Sequence, residues 1–411
     1  MKKSILLLLV IVCFVTSQAY ATTRAIVKRG VPDVSWKPLN NFPVYVKYDN
    51  GLTLSSKDNN FAATFGGYLQ LDAMKFTQNA GNLLNSGTNI RRAMIMLGGT
   101  IFNDWGYGFT YDMAHNDLQN AFITYAGWQD KNIIFLVGQF SPNFSLSNTA
   151  ANRYLTFMEL SLPINALTPF YLQGVSAMIN NDVLSLYGSV FGSGTSETPQ
   201  GRNPLGGTAR LVYSPIHRDR RVVDLGISDW FQKPDGSNTA NLGTCPETKS
   251  HNNDMLVSTG TIYNVEHYNS VVAEAANLIG SWEIQGEYIV THVVRNHGSK
   301  DLDFGGYYVT TSYFFTGESR SYDFPVGVFS HISPINHKYG AWQIAARYST
   351  LNLTDHDIRG GDEKNITLGL NWYANKFMVV ELNCIHAMAH PASDGKNRDV
   401  NTFALRAQME F

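Results

Sequence analysis

Two histidines, His386 and His390, stand four residues apart near the C-terminus, a spacing that on a helix would turn both imidazoles toward one metal ion. A zinc-protease motif needs a glutamate directly after the first histidine. Here Ala387, Met388 and Ala389 fill the interval, and His386 closes an alternating segment instead of lying on a helix, so the pair does not read as a metal site. No Gly-x-Ser-x-Gly elbow and no phosphate-binding glycine loop occur, and a hydrolase made of widely separated Ser, His and acid leaves no local signature. The expectation is a protein without catalysis, metal or cofactor. More informative is charge set at alternate positions among apolar residues: Arg92, Asp112, Arg210, Glu283, Glu287, Arg347, Glu381, Arg406 and Glu410, with Asn371. Charges of both signs in such segments need water on one side.

The elements that place them are strands. From Thr402 to Phe411, residues Phe403, Leu405, Ala407, Met409 and Phe411 share one face, and Thr402, Arg406, Gln408 and Glu410 the other. A period of two is a strand with one apolar and one polar side. A terminal aromatic is the usual last residue of an outer-membrane barrel. At the other end Lys2 and Lys3 precede an apolar run from Ile5 to Val15, followed by Ala19, Tyr20 and Ala21. That is the pattern of a secretory leader cleaved after Ala21, too short to span a bilayer as a helix.

Residues 1–21 are therefore expected to be a signal peptide, 22–60 a periplasmic N-terminal segment, and 61–411 a barrel. After cleavage 390 of the 411 residues remain, enough for about 16 strands at roughly 24 residues per strand and connection. Hydrophobic residues make up 44% and charged residues 16%, for a net charge of −2. The apolar residues are dispersed, as alternation requires, and the charge offers no basic face, which excludes nucleic acid as a partner. Cys245 and Cys384 are too far apart in kind and place to read as a disulfide framework.

Seventeen alternating segments run from 61–76 to 400–411. An even count puts both chain ends in the periplasm, so the weakest, Met255 to Tyr263, is read as part of a loop from about Phe231 to Asn269. The fold is then all-β, a transmembrane antiparallel barrel of about 16 strands. Turns such as Asn103–Asp104, Gln129–Asp130, Ile279–Ser281 and Ala374–Lys376 fall on the periplasmic side. Gly317 to Tyr339 is a long exception there, and His115 to Asp117 a short exception outside.

Ser141 to Thr168 lacks the period but carries Phe144, Tyr154, Leu155, Phe157, Met158 and Leu162, too many apolar groups for a loop in water. It reads as a third external loop folded into the barrel. In the strand Asn89 to Ile101, Ala93, Ile95, Leu97 and Ile101 suit lipid, leaving Arg92, Gly98 and Thr100 in the lumen with Met94 and Met96. Charge on the lipid face would cost about 2–4 kcal/mol at the midplane, so the charged set lines an aqueous passage.

These residues also carry a resemblance. Asn89-Ile90-Arg91-Arg92-Ala93, Asp104-Trp105-Gly106-Tyr107 with Tyr111-Asp112, Gly138-Gln139-Phe140, and Phe157-Met158-Glu159-Leu160-Ser161-Leu162 are similar to segments of the phosphate-selective porin O and P family. So are Gly188-Ser189-Val190-Phe191, Gly306-Tyr307-Tyr308, Thr316-Gly317-Glu318 with Arg320, Gly340-Ala341-Trp342, and Leu368-Gly369-Leu370-Asn371-Trp372-Tyr373-Ala374-Asn375. The match is collinear from about Val44 to Phe411. It implies a trimeric outer-membrane porin.

The family's paired arginines fall on Arg91 and Arg92, which could hold an anion bidentately. A regular strand would set them on opposite faces, so one needs a bulge or a strand end. Arg210 and Arg347 join them as candidate anion contacts, and Asn148, Arg153 and Glu159 are the candidate constriction-loop residues. Where anion-specific members carry a lysine, an aspartate, two tyrosines and an arginine, this chain has Asn148, Gln119, Met94 with Ser141, and Tyr68. Most of the phosphate cage is therefore missing. The expectation is passive diffusion of small hydrophilic solutes with at most weak anion preference, in contact with outer-membrane lipid and lipopolysaccharide. The alternative is a surface-interaction protein whose loops around Thr195 to Asn203 and Asp235 to Asp254 bind a partner.

Overall fold

The computed structural model describes residues 37–38, 44–48, 51–58, 60–77, 83–128, 131–249, 255–392 and 394–411. The expected leader, 1–21, and the turn Gln129–Asp130 lie outside them. Sixteen strands pair antiparallel in chain order: β1 (Phe61–Phe76), β2 (Gly87–Ile101), β3 (Trp105–Asp112), β4 (Asp117–Tyr125), β5 (Ile133–Phe140), β6 (Leu172–Asn180), β7 (Leu184–Phe191) and β8 (Leu205–Arg218). They continue as β9 (Arg221–Lys233), β10 (Val265–Ile279), β11 (Trp282–Arg295), β12 (Leu302–Phe314), β13 (Ala341–Asp355), β14 (Ile358–Asn375), β15 (Met378–Ala389) and β16 (Arg398–Glu410).

The ring closes where β16 pairs with β1, from Thr402 opposite Phe76 to Glu410 opposite Tyr68. Phe411 completes the seam by exchanging two backbone hydrogen bonds with Gly67, at 2.9 and 3.0 Å. Closure leaves no unpaired edge at membrane depth, where an unpaired N–H or C=O would find no water. The hairpin Val44–Tyr48/Leu52–Ser56 continues the same edge of β1 beyond the C-terminus, pairing Leu52 with Phe65 through Ser55 with Ala62.

Side chains sort as alternation dictates. Phe403, Leu405 and Met409 are about half exposed on the outside, while Arg406, between them, is fully buried in the lumen. Met94 and Met96 turn inward and Ile101 outward. Aromatic pairs such as Trp105–Tyr125, Phe61–Phe102 and Trp342–Trp372 ring the end where β1 begins and β16 finishes, the interfacial girdle expected of an outer-membrane barrel.

The segment Met255 to Tyr263 contributes no barrel strand. Its Val257–Ile262 pairs with Ala240–Thr244 in a separate hairpin inside the loop after β9. Several barrel strands are longer than their alternation suggested. β8 runs on to Arg218 through a bulge between Tyr213 and Ile216, and β14 begins at Ile358. Those extensions lie at strand ends, the periplasmic end for β8 and the outer end for β14, where polar residues on both faces cost little and the period of two is lost.

Candidate functional site

A bulge in β2 creates the site. Pairing with β1 runs down to Gln70 opposite Arg92 and resumes with Leu71 opposite Ile90, so Arg91 is the extra residue. Both arginines consequently turn into the lumen, 8% and 5% exposed. They converge on Glu159, carried there by the third loop, Ser141 to Tyr171. Arg91 donates from Nε and Nη2 to the two carboxylate oxygens, at 2.8 and 3.0 Å. Arg92 Nη2 lies 3.6 Å from the same carboxylate while its Nη1 donates to Gln70 Oε1 at 2.8 Å.

A third guanidinium arrives from β16. Arg406 Nη2 donates to Glu159 at 2.8 Å, and its Nε and Nη2 hold Asp72 at 2.7 Å each. Its Nη1 donates to the Met158 carbonyl, which ties the third loop to the seam of the barrel. Burial alone would raise the Glu159 carboxyl, but Arg91, Arg92 and Arg406 outweigh it and hold the group well below the usual carboxylate range. Lys249 shifts the other way: burial and the neighbouring Arg91 push its ammonium down.

The loop is pinned along its length. The one-turn helix α1 (Leu146–Thr149), capped by the Ser145 side chain, offers the Leu146 and Ser147 N–H groups to Glu287 at 3.0 and 2.9 Å. Arg153 ion-pairs with Glu410 at 3.3 Å and lies against the rings of Tyr68 and Tyr154. Asn371 donates to the Thr156 carbonyl at 2.7 Å, and the Arg347 guanidinium stacks on Phe157 with its centre 4.5 Å from the ring centroid. The third loop thus spans from β1 and β16 to β11, β13 and β14.

The candidate residues do not form one site. Arg347 reaches the cluster only through the Glu159 carbonyl, at 3.0 Å, and pairs with Glu247 at 2.7 Å. Arg210 stands apart, paired with Glu274 at 2.7 Å with no exposed side-chain surface, which leaves it no face for an anion. Asn148 spends its carboxamide on Pro169 and Thr168 within the loop. His386 and His390 lie near the outer end of β15 and bond to different partners, Asn401 and Asp399.

Two inward-folded elements went unread in the sequence. The hairpin after β9 turns into the barrel: Glu247 is buried against Arg347, Ser349 and Thr367, and Thr244 receives a hydrogen bond from Asn165 at 2.6 Å. That corrects the view of Asp235 to Asp254 as a wholly external binding loop. Buried Leu242, Leu256, Val257 and Ile262 explain why it turns inward. The long periplasmic connection, Phe315 to Gly340, folds upward. Arg210 donates to the Val326 and Gly327 carbonyls at 2.8 and 2.9 Å, and Arg320 donates to Thr156 and Tyr154 on the underside of the third loop. Its apolar Val326, Val328 and Phe329, buried beside Tyr187 and Leu146, were the visible but unused signal.

Above the cluster a cavity of about 850 Å³ opens toward the external loops, with Arg91, Arg92 and Glu159 in its wall. Around Glu159 the charges are four cations, Arg91, Arg92, Arg406 and Lys249, against three acids, Glu159, Asp72 and Glu381. The net charge of this buried cluster is therefore small and positive. Tyr68, Gln119, Ser141 and Asn148 line a second, smaller space with Arg153.

Residues 63–411 match the family described as phosphate-selective porin O and P. The chain belongs to that family. It is 25% identical to Porin O of Pseudomonas aeruginosa, the alignment covering 90% of this chain and 92% of the relative. The fold is similar to that of OmpT of Vibrio cholerae, with TM-score 0.56, 11% identity, and 86% and 99% of the two chains covered. An anion-selective porin from Comamonas acidovorans is similar at TM-score 0.53 and 11% identity, over 85% of this chain and all of the other. The molecule is an outer-membrane porin, a closed barrel whose charged lumen forms a water-filled channel.

Proposed function

We propose that the porin passes small hydrophilic solutes by passive diffusion, with a weak preference for anions set where the third loop meets β2 and β16. One observation carries this: Glu159 is shared by three arginines, so the positive field at the constriction is mostly cancelled but not abolished. Phosphate specificity is not part of the reading, because the guanidinium donors are already committed to protein partners. The anion-selective neighbour accords with the sign of the preference. No catalytic role is needed to account for any of these residues.

Assembly as a homotrimer is part of the proposal. β3 to β7 are only 8 or 9 residues long, against 12 to 18 for β8 to β16, and a low wall of this kind is sheltered when it faces a neighbouring barrel. One of the similar structures is described as a trimer form. Cleavage after Ala21 would deliver the chain to the envelope, and lipopolysaccharide would contact the outer half of the taller wall.

The test is charge selectivity. Changing Arg91 and Arg92 together to alanine converts the cluster from four cations and three acids to two and three. The ratio of anion to cation permeability, read from the reversal potential in a KCl gradient, is expected to fall by about threefold to tenfold. An unchanged reversal potential would return both arginines to a purely structural part.

A further inference from the structure

The outer cavity has a chemistry that the charge cluster beneath it does not explain. At about 850 Å³ it lies in the range of sites that hold a small organic molecule, roughly 300–1,000 Å³. Its wall carries neutral hydrogen-bonding groups. Among the described residues the side chains of Gln119, Ser141 and Asn152 bond to no other protein group, so their donors and acceptors are open to the cavity. Beside them stand the rings of Phe170 and Tyr171; Phe170 is 60% exposed for want of any protein cover.

Phosphate suits this space badly. Arg91 already spends two donors on Glu159, and Arg92 spends one on Gln70 while facing Glu159 with another. Asp112, Asp117 and Glu197 line the same cavity and would repel a dianion. An uncharged polyol has neither problem. Its hydroxyls both donate and accept, matching carboxamides and a serine, and its C–H faces lie flat on an aromatic ring, removing apolar surface from water.

We propose that this vestibule is a binding site for short uncharged saccharides, held between the Phe170 and Tyr171 rings and the Gln119, Ser141 and Asn152 side chains on their way to the constriction. The inference rests on the diffusion-channel reading and names the solute class that the channel favours.

Single-channel recording with the probe on the loop side tests it. Maltotriose is expected to interrupt the current reversibly at concentrations where inorganic phosphate does not. Phe170→Ala, a change at an exposed position that leaves the barrel intact, should raise the half-blocking concentration roughly fivefold to tenfold. Gln119→Ala combined with Asn152→Ala should act in the same direction. Block by phosphate without block by maltotriose would overturn the proposal, and so would an open current that neither probe disturbs. A channel silent to salt would instead count against the diffusion reading. In that event calorimetric titration of the detergent-solubilised protein with maltotriose still decides the ligand, no heat of binding being the contrary result.

Discussion

Replacing Glu159 by glutamine is expected to turn a weakly selective pore into a strongly anion-selective one. The carboxylate is the one negative charge shared by Arg91, Arg92 and Arg406. Removing it changes the local balance from four against three to four against two. It also leaves Arg91 and Arg92 in the cavity wall without their shared carboxylate, and Arg406 behind them with Asp72 alone. At an effective dielectric constant near 20, two unit charges about 4 Å apart interact by about 4 kcal/mol, so the loss of one shared partner is a large change in local field. The permeability ratio should move toward anions by about an order of magnitude. Removing one partner from a buried pair costs about 3–5 kcal/mol, so the third loop should also loosen, seen as noisier open-channel current. A mutant with wild-type reversal potential and quiet current would refute the assignment of Glu159 as the charge that tempers the constriction.

The pH dependence follows with a definite sign. The arginines hold the Glu159 carboxyl below its ordinary value. Its stabilising charge is fully present above the unfolded value of about 4.3 and is lost only as pH falls through the lower folded value. The contribution of Glu159 to selectivity should therefore stay constant through mildly acidic conditions and be lost, shifting the pore toward anions, only in stronger acid.

Arg320→Ala should enlarge and destabilise the conducting state from the opposite side. Arg320 belongs to the inward-folded periplasmic connection, where its Nη1 donates to Thr156 Oγ1 at 2.8 Å and lies 3.3 Å from Glu283, and its Nη2 donates to the Tyr154 carbonyl. It bolts that connection to the underside of the third loop. Without it Glu283 is left buried and unpaired, a cost of about 3–5 kcal/mol before water enters, and water entering is the relief. The expected readout is higher single-channel conductance with frequent sub-states, and partial recovery in Arg320→Lys, which keeps the charge but loses the planar fork. Conductance and noise equal to wild type would mean that the third loop needs no support from below.

The barrel itself was legible in the sequence because the membrane enforces alternation. Phe403, Leu405 and Met409 against Arg406 is a signal of period two that no soluble helix would carry, and it was the need for an even strand count, not alternation, that set Met255 to Tyr263 aside. The third loop was legible as a burden of aromatics with nowhere else to go. What could not be read was partnership. Arg91 and Glu159 are separated by 68 positions and Arg406 and Glu159 by 247, so nothing local joins them. Adjacent arginines did announce a bulge. Their neutralisation by a loop carboxylate appears only once the loop is folded across the lumen. The inward turns of the hairpin after β9 and of Phe315 to Gly340 were hidden for a similar reason. Leu256, Val257, Val326 and Phe329 mark segments that must bury something, but periodicity does not say which side of the wall they choose.

A sealed tube that conducts water and ions past a folded-in loop underlies every effect expected above. Purified protein reconstituted in a planar bilayer measures this directly. Stepwise ohmic currents in KCl, with a reversal potential displaced slightly toward anions, are the expected result. A barrel that inserts in folded form yet passes no current would contradict it.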